Sequence, residues 1–327
     1  MRTPYTVIIP TRDRPNYVRG LLAKLLQQAP APPEVIVVDQ SAHSEQDQLT
    51  ARAPIVQGHP CRVIYFHDTR IDGLAAARNV GLCMATSPYV IFLDDDALPD
   101  SRCLSLLVEA LERNPRLLAV GGLVSNYSRP PLLVRLFRRI FYLGPLYDER
   151  QAIYWKANRY PPGQLIPTTK LNGGCMAFRR QTLVEAGGFD PRYRGASIAE
   201  DIEISHRLLR LSRRPDALAL VGGALIHHAS EGVWKSSSRA LEYEIVATHY
   251  WFKKNHRWNL GNRLRFYWMC LGLLLWSAGS ACKRHSAAPL KTFKAAVASI
   301  NQDYRNCPFL KEASEEGPRA PSRSSQG

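Results

Sequence analysis

VIFLDDDALPD, residues 90–100, sets three carboxylates, Asp94, Asp95 and Asp96, directly behind a short apolar run. An unbroken apolar run of this length reads as a parallel strand covered on both faces. Carboxylates this close repel one another unless a cation lies between them. Metal, arginine and solvent are the three candidates. In open α/β sheets ligands bind outside the carboxyl ends of the strands, so the triplet is either part of a site or a solvated acidic turn leading into a helix at Pro99. On an extended chain alternate residues face the same way. That would make Asp94 and Asp96 the pair able to converge on one hard divalent cation, and Asp95 the least important of the three.

The flanking sequence repeats this pattern. YTVIIP (5–10), PPEVIVVDQS (32–41), CRVIYFHD (61–68) and LLAVGGLVS (117–125) all read as strands. Between them run helical patterns: Tyr17, Val18, Leu21, Leu22, Leu25 and Leu26 after a capping Asn16, then LAAARNVGLCMATS opened by Gly73, then PDSRCLSLLVEALERNP. Strands alternating with helices predict a doubly wound α/β sheet, and polar residues gather where the strands end, at Thr11–Arg14, Asp39 and Asp94–Asp96. Residues 127–169 are irregular and basic. LNGGCMAFRR (171–180) resumes strand character, EDIEISHRLLRLSRR (200–214) is a helix, and ALALVGGALIHHASEG (217–232) is a strand ending in His227 and His228, whose side chains point to opposite faces. No internal repeat is present.

Composition narrows the function. The 327 residues carry a formal charge of +15 and 45% hydrophobic residues, enough for a sizeable core and attractive to anionic partners. The seven cysteines include no CxxC pair, which reads as reduced thiols of a cytosolic protein without a zinc site. The start, MRTPYTVIIP, enters a strand at once and shows no secretory pattern.

Three further stretches carry chemistry or plain packing. In GLAAARNVG, Gly73 admits close backbone approach and a helix N-terminus could face phosphate, with Arg78 and Asn79 one to two turns in; taken alone, the stretch reads better as a well-packed alanine-faced helix. Glu200 and Asp201 open a helix, as acids often do for the dipole, and are also candidates for a general base. One of His227 and His228 could enter a site, or be a half-buried histidine.

Taken in order, VIIPTRDRP, VIVVDQS, GLAAARNVGL, FLDDD, NGGCMAFRR, GGFD and AEDIEISHRL resemble an inverting family 2 glycosyltransferase over about residues 5–235. The resemblance implies the GT-A fold, a mixed sheet with helices on both faces; beyond it, the aromatic, basic run predicts a helical extension over 236–310, and the polar end a disordered tail over 311–327. The resemblance also implies hexosyl or deoxyhexosyl transfer from a nucleotide-diphospho-sugar to an acceptor hydroxyl, with Mn2+ or Mg2+. Pro10, Thr11, Arg12 and Asp39 match positions holding base and ribose. Gly73, Arg78 and Asn79 match the segment under ribose and diphosphate. Asp94 and Asp96 match the metal and donor carboxylates, Gly173 and Gly174 a loop beside donor sugar and acceptor, Asp201 the base with Glu200 its neighbour, and His227 or His228 an added metal ligand. No serine or cysteine nucleophile motif appears, as suits a single displacement.

The basic half suggests where the acceptor is. In LLVRLFRRIFYLG, Leu132, Leu133, Leu136, Ile140 and Leu143 recur at helical spacing with Arg135, Arg138 and Arg139 between them, as in a helix lying on anionic lipid, the favoured reading over a nucleic-acid patch or a solvated basic face on a normally packed helical subdomain. Residues 266–282 carry no charge, but at 17 they fall short of the roughly 20 that span a bilayer. The expected partners are a nucleotide-sugar, a glycan or lipid-linked acceptor and an anionic membrane surface at the inner face of the cell membrane, with no nucleic acid. The competing readings are a sugar-nucleotide pyrophosphorylase, whose glycine-rich loop PTRDRPN lacks, and a non-catalytic binder of nucleic acid or membrane.

Overall fold

Strand β1 (Tyr5–Thr11) is buried along its whole length and lies between β2 (Glu34–Asp39) and β4 (Tyr89–Leu93), parallel to both; β3 (Arg62–His67) extends the parallel set beyond β2. The computed structural model describes residues 4–28, 30–44, 60–193, 199–229 and 238–301. Beyond β4 the direction changes. β8 (Cys175–Arg179) runs antiparallel between β4 and β6 (Ala119–Val124), and β9 (Leu218–His228) runs parallel to β6. β5 (Ala97–Pro99) and β7 (Leu165–Pro167) pair antiparallel with β9. The sheet order is β3-β2-β1-β4-β8-β6-β9-β5, the mixed sheet that the family resemblance implies rather than the mostly parallel one that alternating strands and helices suggest.

Period-two alternation sends each strand's side chains into two layers. Val7, Ile9, Ile91 and Leu93 pack with helices α1 (Pro15–Leu26) and α3 (Cys103–Arg113). Ile8, Val90 and Phe92 pack on the other face with α2 (Leu74–Met84) and α7 (Glu200–Ser212). Between these lie α4 (Leu132–Phe141), α5 (Arg150–Tyr154) and α6 (Arg180–Glu185). Helices α8 (Ser238–Asn255), α9 (Leu260–Arg284) and α10 (Ala288–Asn301) build a third cluster around Trp251, Phe252, Phe266 and Met269. The tail expected at 311–327 lies outside the described residues.

Two local expectations change. Asn16 does not cap α1: the helix starts at Pro15, whose fixed φ suits the first helical position, and Arg14 occupies the cap without a side-chain capping bond. The acidic triplet does not lead into a helix at Pro99. The chain turns after Leu93, with Ala97 N–H donating to Asp94 O at 3.0 Å, and Ala97–Pro99 becomes a short edge strand opposite Ile226–His228. An edge tolerates the proline, which has no amide to donate.

Phe92 anchors the layer beneath the triplet. It is fully buried, edge-on to Phe178 at 5.7 Å and to Phe189 at 5.0 Å. Phe92→Ala is expected to cost about 3–5 kcal/mol, read as a shift of the urea midpoint, and Phe92→Leu distinctly less; equal midpoints for wild type and Phe92→Ala would contradict this packing.

Candidate active site

Three arginines organise the carboxylates at the carboxyl end of the sheet. The turn after β4 splits the triplet. Asp94 continues the face of Phe92 and accepts from Arg78 Nη2 at 2.9 Å. Asp95 continues the face of Leu93, is buried, and accepts from Thr11 Oγ1 at 2.8 Å and Arg14 Nη1 at 2.6 Å. Because the chain turns here, strand alternation no longer holds, and Asp96 shares Arg14 with Asp95 through Nη2 at 3.0 Å. Asp94 and Asp96 are thus held by different arginines rather than side by side on one face of an extended chain. Arg14 is braced in turn, 4.1 Å over the ring of Tyr17.

Arg78 is fully buried on α2, whose N-terminus rests on Gly73 at φ +105°. It donates to Asp94, to Gly173 O at 2.7 Å and to Glu200, tying β4, the loop before β8 and the start of α7 together. Arg150 does the same for the neighbouring carboxylate. Its Nη1 reaches Asp201 Oδ2 at 2.7 Å and also Leu171 O, while Nε and Nη2 fork onto Asp148, each at 2.9 Å. Gly173 N–H also donates to Asp201 Oδ2, at 3.2 Å.

The glycine pair is where these parts meet. Asp94 N–H donates to Gly174 O at 3.2 Å. A Cβ on Gly174 would lie 2.7 Å from His228 Nε2, so a side chain there would displace the imidazole. His228 Nδ1 in turn stands 3.5 Å from Asp96 Oδ1. His227 points the other way and is exposed. Asp94, Gly173, Gly174, Asp201 and His228 line one cavity of about 1230 Å3 together with Arg150.

Other expected residues lie apart from this junction. Asp39 is buried at the end of β2, accepting from Ser41 N–H at 2.9 Å, from the Ser41 hydroxyl and from Tyr65 OH at 2.5 Å. Gln40 beside it accepts from Gly73 N–H at 2.9 Å, joining this end to α2. Pro10 is buried and Arg12 exposed. Asn79 is not brought to the cluster: its amide donates to Phe189 O at 2.7 Å and accepts from Phe189 N–H at 2.8 Å, clamping the turn before Asp190. Arg14, Asp148 and Arg150 were not singled out in the sequence. Arg14 sits inside PTRDRP, whereas Arg150 lies in the irregular basic stretch with no periodic signal.

Burial and charge shape the titration of the cluster. Burial pushes the Glu200 carboxyl up to about 8, with Asp201 and Asp94 adding to the push and Arg78 opposing it. Asp94 is also raised, by burial first, and Asp95 is raised to about 7 by burial against the pull of Arg14. The imidazole of His228 is raised: burial works against its charge, but the bond to Asp96 and the nearby Asp94 outweigh burial. Arg78 stays cationic for the same reason, burial being overcome by Glu200 and Asp94. Among the described residues no group of three or more His, Cys, Asp or Glu side chains is gathered as a ligand set. Asp96 and His228 present one oxygen and one nitrogen donor to each other, which fits a divalent ion as a partial site completed by phosphate oxygens and water.

Residues 6–186 match the family described as Glycosyl transferase family 2. The chain is 30% identical over 112 residues to an uncharacterized glycosyltransferase of Rickettsia conorii, which covers 34% of this chain and 18% of that protein. The chain thus spans about a fifth of the length of that relative. It is 22% identical over 279 residues to the N-acetylglucosaminyl-diphospho-decaprenol L-rhamnosyltransferase of Mycobacterium tuberculosis, covering 79% of this chain and 89% of that one. In fold it is similar to a mannosyltransferase from Pyrobaculum calidifontis in complex with GDP-Man and Mn2+, with a TM-score of 0.54 and 20% identity over 93% of this chain and 88% of that chain.

Glu200 contributes a pH dependence that a single substitution isolates from those of Asp94, Asp95 and His228. Its folded value is raised above the ordinary 4.5, so between 4.5 and about 8 the folded chain keeps a proton that the unfolded chain has released, and stability drains away as pH rises through that window. Buried His249 and half-buried His256, both held down at about 4 mainly by desolvation, act in the opposite direction below neutrality. The informative quantity is therefore the difference between wild type and Glu200→Gln. The variant should gain melting temperature over wild type steadily from pH 5 to pH 8, by several degrees; a difference that stays flat across the window would refute the assignment.

Proposed function

This chain belongs to glycosyl transferase family 2, and from that premise we propose that it transfers a sugar, with inversion, from a nucleotide-diphospho-sugar to a hydroxyl of a lipid-linked or cell-surface glycan at the inner face of the cell membrane. The observation that carries the proposal is the junction at Gly173–Gly174. One short loop touches the Asp94 and Arg78 side, where a donor diphosphate would lie, and Asp201 on the other side, where an acceptor would enter.

In this reading the nucleotide lies across the ends of β1, β2 and β4. Pro10, Thr11, Arg12 and the Asp39 loop flank the base and ribose, and the Gly73–Arg78 segment and Asp94 lie under the ribose and diphosphate. Arg14 and Arg78 bring positive charge toward the phosphates while Asp95 and Glu200 keep them in place. Asp96 and His228, with Asp94 beside them, would hold Mn2+ or Mg2+, which supplies charge neutralisation for the departing diphosphate. The acceptor oxygen attacks the anomeric carbon from the face opposite the diphosphate. The bond from that carbon to the phosphate oxygen breaks, its electron pair leaves with the nucleoside diphosphate, and the acceptor proton passes to Asp201. Asp201 Oδ2 is engaged by Arg150 and Gly173, so Oδ1, resting on the Ile202 amide at 2.8 Å, is the oxygen left to face the acceptor. No nucleophile on the protein is required.

The test is release of nucleoside diphosphate from a panel of nucleotide-sugars with Mn2+ or Mg2+. Asp201→Asn should lower turnover about 10²–10⁴-fold with donor affinity retained, and Asp96→Ala should abolish the metal response. Turnover by Asp201→Asn equal to wild type would overturn the base assignment.

A further inference from the structure

Helix α4 buries none of its ten residues. Its leucines and Ile140 stand out of the protein, with Leu132 62%, Leu133 68% and Ile140 51% exposed, while Phe137 packs against the third cluster. Helix α9 is two-sided. Phe266, Met269 and Leu273 face inward to the third core cluster, while Leu260, Leu264, Trp268, Leu271 and Leu275, at helical spacing, stay exposed. The two helices are joined edge to edge: Trp268 Nε1 donates to Ile140 O at 2.8 Å, Phe141 lies 5.2 Å from Trp268, and Phe137 lies 5.0 Å from Trp276. Their outward sides thus belong to one paired apolar surface, whereas soluble monomers seldom expose apolar patches beyond a few hundred Å2.

The charges around that surface select its occupant. Helices α4 and α9 contain no aspartate or glutamate, and Arg135, Arg138, Arg139, Arg263, Arg265, Lys283 and Arg284 all lie on them. A second copy placed on the same patch would bring like charges together. An anionic bilayer meets the same features with matching chemistry: acyl chains for the leucines, the interface for tryptophan and tyrosine, and phosphate headgroups for the arginines. Neither helix crosses the membrane, since among the described residues no helix is long and apolar enough to do so. The cavity that holds Asp201 and His228 is also lined by Leu132, Leu136, Arg139 and Trp276.

We propose that α4 and α9 form a docking face that seats the protein flat on an anionic bilayer, with the mouth of the catalytic cavity at the lipid surface. A lipid-borne acceptor then reaches Asp201 while its lipid stays in the membrane. The route for the acceptor rests on the glycosyl transfer proposed above; the docking itself does not.

The experiment is flotation of the full chain with phosphatidylcholine vesicles with and without phosphatidylglycerol, followed by tryptophan quenching with brominated acyl chains. The wild type should float with anionic vesicles, release as salt is raised, and show quenched tryptophan. Leu133→Glu combined with Leu264→Glu, both at exposed positions, should lower vesicle affinity about tenfold or more, keep the circular dichroism of the wild type, and keep nucleoside diphosphate release with a short water-soluble acceptor while losing it with a vesicle-borne one. Equal flotation of wild type and double variant would overturn the proposal. So would a wild type that ignores anionic vesicles and instead forms a dimer that the double variant breaks. If flotation behaves as expected but no acceptor yields turnover, the docking face stands and the transfer reading fails.

Discussion

A guanidinium with no access to solvent must find its counter-charges inside the protein, because removing one partner of a buried ion pair typically costs several kcal/mol. Arg78 is such a group. It sits wholly buried on α2 and reaches Asp94 at the end of β4, Glu200 at the start of α7 and the carbonyl of Gly173 before β8. Four segments far apart in sequence therefore have to meet at one point for the residue to be satisfied. Arg14 and Arg150 repeat the device on either side, Arg14 joining α1 to the acidic turn and Arg150 joining α5 to α7. The negative cluster on this basic chain is thus answered by arginines, each shared between carboxylates that would otherwise repel.

This arrangement explains why the carboxylates differ in character despite their proximity. Asp95 and Glu200 are buried anchors whose side chains are committed to Arg14 and Arg78, with burial shifting both carboxyls upward against the pull of those arginines. Asp94 is the more open member of its pair, with its side chain 28% exposed. Asp96 keeps one oxygen toward His228 after giving the other to Arg14. The anchors hold the cations, and the cations hold the groups that face the cavity.

The sheet was readable from the sequence because its strands are short unbroken apolar runs and its helices carry a clean three-and-four period. The triplet, Gly73 and the Glu200–Asp201 pair stood out because each lies at a strand or helix end where the pattern stops, whereas Arg78, inside its helix, and Gly173–Gly174 stood out through the family resemblance. What escaped was decided by turns and long-range pairing. The alternation that linked Asp94 with Asp96 holds only on extended chain, and the chain turns at that place. Asn79 is polar and beside Arg78, yet its amide is committed to the backbone of Phe189, a partner 110 residues away. Arg150 has no local signature, since its partner Asp201 is 51 residues on. His228 could be separated from His227 only once β9 was paired with β5, which fixes which face looks toward Asp96.

Neighbouring positions on a helix diverge by about 100°, and the start of α7 turns that geometry into a division of labour. Glu200 points toward Arg78 and the sheet, and Asp201 toward Arg150 and the cavity. A pair of acids adjacent in sequence is thereby assigned to two different arginines. The Gly173 amide and carbonyl sit between them, donating to Asp201 and accepting from Arg78. A shift of the glycine loop would have to alter both sides together. The lack of a side chain is demanded at Gly174, where a Cβ would lie 2.7 Å from His228 Nε2, whereas a Cβ on Gly173 would make only ordinary contacts of 3.5 Å with Glu200 and Asp201. The loop is a shared joint of the charge network before it is a wall of the cavity, which is why the Arg78 side and the Asp201 side cannot be arranged independently.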